Sequence, residues 1–82
     1  MHPKAKAVAN KIRRMREDRN YSQDYLAAKL GISQNAYSKI ELGYSQVTIE
    51  RLYRIAEVLE YNFADFFDED ELPGKNNFRT LG

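Results

Sequence analysis

The chain has 82 residues, of which 13 are basic and 12 acidic, so its formal net charge is +1. This length suits one small domain with a single core, and the lack of cysteine excludes disulfide bonds and cysteine-bound metals. Because the longest apolar run is only Tyr25–Ala28, we expect neither a membrane span nor a secretion signal. A cytoplasmic protein fits this composition.

Charge is unevenly distributed along the chain. Residues 1–60 contain 11 Lys and Arg against 7 Asp and Glu, whereas residues 61–82 contain 2 against 5. A basic N-terminal region is typical of a surface that binds a polyanion, but a solvated helix face has the same composition. Charge alone therefore leaves both interpretations open.

Apolar residues recur at spacings of three and four, and no segment alternates with period two, which predicts an all-α fold. The first helix is expected from about residue 4 or 5 to residue 19, ended by Asn20. Its predicted inward side chains are Val8, Ile12 and Met15.

Residues suited to capping divide the next part of the chain into three helices. Ser22 is predicted to cap the second helix, which Gly31 ends; Ser33 caps the third, which ends at Leu42; and Thr48 caps the fourth. The apolar residues expected to face the core are Leu26, Ala27 and Leu30 in the second helix, Ala36, Tyr37 and Ile40 in the third, and Ile49, Leu52, Ile55, Ala56 and Leu59 in the fourth.

The C-terminal part contains a last short helical segment and then an acidic tail. Asn62 is predicted to cap the segment that carries Phe63, Phe66 and Phe67. The composition beyond Phe67 is typical of a flexible tail. We therefore divide the chain into a basic extension leading into the first helix (residues 1–7), a domain (8–67) and a tail (68–82).

Two helices joined by a short turn that contains glycine predict a helix-turn-helix. The motif is the segment SQDYLAAKLGISQNAYSKIELG, residues 22–43, and it resembles the Cro and phage-repressor type of helix-turn-helix, the Xre family. The likeness covers about residues 8–67. It implies a compact five-helix, lambda-repressor-like fold that binds double-stranded DNA as a small, repressor-like transcription regulator. A homodimer of this kind reads an inverted repeat.

The third helix carries the candidate base-reading residues. At about 100° per residue, Gln34, Asn35, Ser38 and Lys39 share the side opposite the apolar positions. Carboxamides pair in bidentate fashion with adenine, and lysine pairs with guanine acceptors. Gln34 and Asn35 are therefore the best candidates for base contacts, with Ser38 and Lys39 reaching neighbouring base pairs or the phosphates.

A second group of residues is predicted to contact phosphates. Gln23 opens the second helix, where free N–H groups and the helix dipole favour a phosphate, and the matching Gln in the resembled family binds the DNA backbone. Ser22 and Ser33 could add hydroxyls, although both also suit ordinary caps. Tyr44 and Ser45 stand where the family usually has a basic residue, so they can hydrogen-bond a phosphate only without charge.

Arg16 and Glu41 match positions that form an ion pair between the first and third helices of related repressors. If this pair is buried, the loss of one partner is costly, and if it is exposed the loss has little effect. Leu42 departs from the family pattern on the presented face of the third helix. It suits either a thymine methyl group or a protein-binding surface.

Three phenylalanines within five residues exceed what one short turn is expected to bury. Phe67, with Tyr61, is therefore our candidate for a homodimer contact, the alternative being that all the aromatic rings belong to the core of one chain. A rival function is a protein-interaction module, such as an antitoxin that binds a toxin and contacts DNA weakly. Since His2 is the only histidine and no phosphate-binding glycine loop exists, we expect no catalysis, metal or cofactor.

Overall fold

A computed structural model describes residues 3–67 of the chain, and within that range it contains helices and no strands. The predicted all-α class is confirmed. No helix in this part of the chain is long and apolar enough to cross a membrane. The elements are α1 (Pro3–Asp18), α2 (Gln23–Leu30), α3 (Gln34–Leu42), α4 (Ile49–Leu59) and a 3₁₀ helix (Phe63–Phe66). The predicted tail, residues 68–82, lies outside the described residues.

The expectation of five α-helices is wrong, because residues 3–67 form four α-helices and the fifth element is one 3₁₀ turn. This turn spans only four residues, and the backbone returns to an extended conformation at Phe67. So short a segment forms too few hydrogen bonds to offset the cost of α-helix nucleation. It is held instead by a bond from the Asn62 N–H to the Asp65 carboxylate and by burial of Phe66.

Hydroxyl side chains begin three of the four α-helices, as the sequence predicts. Each of these side chains accepts a hydrogen bond from the backbone N–H three residues further on, which satisfies an N–H group without a partner inside the helix. The pairs are Ser22 with Tyr25 at 3.0 Å, Ser33 with Ala36 at 3.0 Å, and Thr48 with Arg51 at 3.1 Å.

Glycines end α2 and α3 in the left-handed conformation, with φ of 72° at Gly31 and 78° at Gly43. A side chain strains this conformation, so glycine is favoured at both positions. Only residues 31–33 separate α2 from α3. α1 ends one residue earlier than predicted, and Asn20 takes the left-handed position that follows it, with φ of 61°.

The core lies where the four helices and the 3₁₀ turn meet. Its most completely buried large side chains are Tyr37, Phe66, Ile12, Leu26, Ile55 and Leu59. Ile49 was expected to face inward, but 58% of its surface is exposed. The periodicity places it on the correct side of α4, yet as the first residue of that helix it lies beyond the packed part of the core.

Arg19 joins the end of α1 to the end of α4. Its Nε donates to the Leu59 carbonyl at 2.8 Å, and its Nη2 donates to the Glu60 carbonyl at 2.9 Å. Its guanidinium also lies 4.5 Å from the centre of the Tyr61 ring. The last carbonyl groups of α4 are thus satisfied by a side chain from another helix.

Candidate nucleic-acid interface

Two sides of α3 differ sharply in their surroundings. Tyr37, Ile40 and Glu41 are buried against the rest of the domain. The opposite side faces solvent. Three of the predicted base-reading residues on it are exposed, Gln34, Asn35 and Lys39, and Ser38 beside them is half-buried. The structure therefore brings the four together on one surface, together with the exposed Leu42.

The orientation of α3 is fixed by the buried carboxylate of Glu41, whose side chain is only 2% exposed. Arg16, in the last turn of α1, donates from Nε to Oε2 at 2.6 Å and from Nη2 to Oε1 at 3.1 Å. Tyr37 Oη donates to Oε2 at 2.5 Å, and Gln23 Nε2 donates to Oε1 at 3.0 Å. Each of the two carboxylate oxygens thus accepts two hydrogen bonds.

This network reaches beyond α3. Arg16 Nη1 donates to the Tyr21 carbonyl at 2.8 Å, which connects the loop before α2 to the same guanidinium. In the described residues every buried side-chain nitrogen and oxygen has a hydrogen-bond partner. Because a buried charge is tolerated only when it is paired and hydrogen-bonded, α1, α2 and α3 must meet in this one arrangement.

Ionisation of the network follows from its geometry. Burial alone would raise the pKa of Glu41, but the hydrogen bonds from Arg16, Tyr37 and Gln23 outweigh burial and leave that pKa below its ordinary value. The hydrogen bond to Glu41 raises the pKa of Arg16, and burial raises the pKa of Tyr37. The carboxylate and guanidinium are therefore both charged at neutral pH, while the phenol is protonated.

Gln23 occupies the first position of α2, where a phosphate contact was predicted. The structure adds a constraint, because Glu41 can only accept hydrogen bonds and so holds the Nε2 end of the Gln23 amide toward itself. One N–H of this amide is committed to Glu41. The second N–H and the carbonyl oxygen carry no such bond to Glu41.

The other predicted phosphate contacts lie at the helix starts and after α3. Ser22 and Ser33 are exposed, and each uses its oxygen as an acceptor in a cap, which leaves the O–H available as a donor. Tyr44 is 71% exposed, and Ser45 is half-buried. Capping and a phosphate contact therefore use different atoms of the same hydroxyl.

The predicted dimer residues are only partly accessible. Tyr61 is half-buried beneath Arg19, and the half-buried Phe67 packs against the core. Tyr53, a more exposed aromatic neighbour, was not among the predicted residues; it is 53% exposed, and its ring stacks on that of Phe63 with centres 4.2 Å apart. The i, i+4 spacing of Tyr53 from the exposed Ile49 is the signal that marks this face of α4.

The chain is similar to known proteins both in its sequence and in its structure. The sequence model of the helix-turn-helix family HTH_3 matches residues 12–66. Comparison with curated protein sequences gives no significant match.

Three solved structures are similar. The clp gene regulator ClgR from Corynebacterium glutamicum has 24% identity and a TM-score of 0.75, over 80% of this chain and 86% of that one. A second ClgR structure has 22% identity and a TM-score of 0.76, over 98% and 80%. An HTH_3 family transcriptional regulator from Vibrio cholerae has 38% identity and a TM-score of 0.68, over 78% of this chain but only 35% of that one.

The Arg16–Glu41 pair gives the first prediction. Arg16→Met leaves the Glu41 carboxylate buried without its cation, so we expect the free energy of unfolding to fall by roughly 3–5 kcal/mol in urea titration. The matched control is Arg54→Met, because the ion pair of Arg54 with Glu57 is exposed and is expected to contribute about 0–1 kcal/mol. Equal losses in the two variants would contradict this assignment, and adding Glu41→Gln to Arg16→Met should restore part of the loss.

The second prediction concerns the pH dependence of the free energy of unfolding. Because the folded pKa of Glu41 lies below its ordinary value of 4.5, its carboxylate stabilises the fold fully above that value and loses the effect as the pH falls through the folded pKa. The difference in unfolding free energy between the wild type and Glu41→Gln should stay constant from about pH 7 to 5 and shrink below about pH 4.5. A difference that grows on acidification would disprove this sign, and Glu57→Gln is the matched exposed control.

Proposed function

We propose that this chain, which belongs to the helix-turn-helix family HTH_3, is a small repressor-like transcription regulator that binds a specific sequence of double-stranded DNA. The observation that carries the proposal is the solvent-facing polar surface of α3, formed by Gln34, Asn35, Ser38 and Lys39 opposite its buried side. The similar solved proteins are gene and transcription regulators, which supports it. Such a regulator acts in the cytoplasm, on the DNA of the nucleoid.

In this proposal α3 lies in the major groove, with its N-terminal residues toward the base edges. The amides of Gln34 and Asn35 each offer a donor and an acceptor, the pattern that pairs with adenine N6 and N7. Lys39, one turn further on, suits the acceptors of guanine or a phosphate. Ser38 is half-buried and has a shorter reach.

Phosphate contacts at the helix starts orient the domain on the duplex. Gln23 would donate its second N–H to a phosphate while Glu41 holds the first, so the amide is oriented before DNA arrives. The free O–H groups of Ser22 and Ser33 can donate hydrogen bonds to phosphates of the same DNA backbone. Because Tyr44 and Ser45 are neutral, these contacts release few counterions, and the salt dependence of affinity should be moderate.

The homodimer is assigned to the apolar face formed by Ile49, Tyr53, Phe63 and Phe67. Tyr53 stacks on Phe63 with ring centres 4.2 Å apart, the Phe67 ring lies tilted against Phe63 at 5.3 Å, and Ile49 lies one turn away from Tyr53 on α4. Tyr61, predicted from the sequence, stands at the edge of this face beside Arg19. A two-fold contact here would present two α3 helices to an inverted repeat.

A rival function is a protein-interaction module, for example an antitoxin that binds a toxin. The exposure of Leu42 and of Tyr44 favours it, since both are apolar or aromatic side chains on the presented surface. The two functions differ in what a random pool of duplex DNA would yield. A regulator retains a defined sequence, whereas the module retains DNA weakly and without a motif.

The decisive experiment is therefore selection from random-sequence duplex DNA at two salt concentrations, followed by sequencing of the retained pool. Recovery of an inverted repeat supports the dimeric regulator and supplies its operator. Recovery of a single half-site supports the reading of DNA sequence but contradicts the proposed homodimer. Weak retention without a motif overturns the proposed function and directs attention to a protein partner.

The third prediction tests base reading. Gln34→Ala and Asn35→Ala should each lower discrimination between the selected operator and mismatched duplexes by about 1–3 kcal/mol, because a bidentate contact is lost. Stability should hardly change, since both side chains are exposed. Asn10→Ala is the matched control, an exposed amide on α1. If operator preference survives either α3 substitution, that residue does not read a base.

The fourth prediction tests the dimer. Tyr53→Glu and Phe67→Glu should shift sedimentation toward the monomer, because each places a charge in an apolar contact. Tyr44→Glu is the control, since it puts the same charge on an exposed tyrosine at a different surface. An unaltered sedimentation profile for Tyr53→Glu, or an equal shift for Tyr44→Glu, would refute this location.

A further inference from the structure

Leu42 is an exposed leucine at the C-terminal end of α3, and 49% of its surface is accessible. Its neighbours on the same side of the helix, Ser38 and Lys39, are polar or charged. Leu42 is thus the one large apolar side chain on this polar side of α3, and any partner that covers it gains the free energy of burying apolar area. The chemistry of that partner follows from where Leu42 stands.

Helix geometry places Leu42 in line with Asn35. The two are seven residues apart, which at 3.6 residues per turn is close to two complete turns, so they project in nearly the same direction. At about 1.5 Å per residue their separation along the axis is about 10.5 Å. Because base pairs are about 3.4 Å apart along the duplex axis, this separation corresponds to at most about three base-pair steps.

The major groove offers one apolar group on the edges of the four bases, the 5-methyl group of thymine. We propose that Leu42 is a specificity-determining residue that packs on a thymine methyl group about three base-pair steps from the base read by Asn35. This inference rests on the proposed function and extends it, since it assigns an apolar contact to a surface otherwise suited to hydrogen bonds. Leu42 then distinguishes thymine from cytosine and from the purines at that position.

The extent of the apolar surface favours a methyl group over a protein partner. On α3 itself Leu42 is flanked by Lys39 and Ser38, and the exposed Tyr44 lies beyond the end of the helix at Gly43. The apolar part of this face of α3 is therefore one side chain, whereas protein-binding patches commonly cover several hundred Å². Continuity with the polar surface of α3 also matters, because any duplex that contacts Asn35 and Lys39 in the groove covers the end of the same helix. A thymine methyl group matches the small apolar area of Leu42 and its position at the end of α3.

The magnitude of the effect can be estimated from burial of one carbon. Removing a methyl group from a buried contact costs about 0.8 kcal/mol, which corresponds to about a fourfold loss of affinity. Uracil differs from thymine by this methyl group alone and keeps the same hydrogen-bonding groups. Replacement of thymine by uracil therefore isolates the proposed contact.

The experiment uses the full chain and the operator recovered by selection, with each thymine of a half-site replaced in turn by uracil. Affinities are measured for the wild type, Leu42→Ala and Leu42→Met. Leu42→Met is the matched control, because it keeps an apolar side chain of similar length. Thermal unfolding of each variant checks that the domain is intact.

Uracil in place of one thymine, about three base-pair steps from the base sensitive to Asn35→Ala, should lower the affinity of the wild type and of Leu42→Met about fourfold. The affinity of Leu42→Ala should not change on the same replacement. Tight binding of the operator without any thymine that depends on Leu42 would overturn this inference and leave the proposed function intact. Failure of the wild type to select any sequence would overturn both.

Discussion

A single buried carboxylate determines how the helices of this domain are arranged. Glu41 accepts hydrogen bonds from Arg16 of α1, Gln23 of α2 and Tyr37 of its own helix. The observed placement of the three helices satisfies all these donors, and moving one helix away would leave the buried charge short of a partner. Ion pairs of this kind add less to net stability than their number of bonds suggests, because both charges lose water. Their main effect here is to fix the orientation of α3.

The same few atoms support the fold and the proposed DNA contact. Gln23 is bonded to the buried carboxylate through one N–H, and the hydroxyls of Ser22 and Ser33 hold the starts of α2 and α3. Gln23 keeps a second N–H, and each serine keeps its O–H, as a donor for a phosphate. A duplex would thus meet side chains whose positions the fold has already fixed, and less conformational entropy is lost on binding.

Local chemistry explains which features the sequence could predict. Caps such as Ser22 and the turn at Gly31 depend on neighbouring residues alone, so the bounds of α2 and α3 follow directly. The polar side of α3 follows from helical periodicity. The burial of Glu41 does not, because it depends on a partner 25 residues away that no local pattern reveals.

Two expectations failed, and their causes differ. Periodicity assigned Ile49 to the core, but whether a neighbouring helix covers the first turn of α4 is decided by the tertiary fold. The aromatic residues after Asn62 were interpreted as a fifth helix, yet the chain between Asn62 and Phe67 is too short to form one. The role of Arg19 likewise depends on the tertiary fold, because it caps α4 and covers Tyr61, far away in the sequence. Contacts between distant parts of the chain thus account for Ile49 and Arg19, whereas the length of the segment itself accounts for the 3₁₀ turn.

The Arg19 contact also bears on how the chain folds. It joins residues 40 positions apart, whereas α2 and α3 are neighbours in sequence and share a three-residue turn. Because the entropy lost in closing a loop increases with its length, the α2–α3 pair is favoured to form before α1 closes on the end of α4. Because most of its contacts join residues close in the sequence, as in other helical domains, this domain belongs to the class that folds in about microseconds to milliseconds. The unit that carries α3 is then assembled first, and the Arg19 contact completes the domain around it.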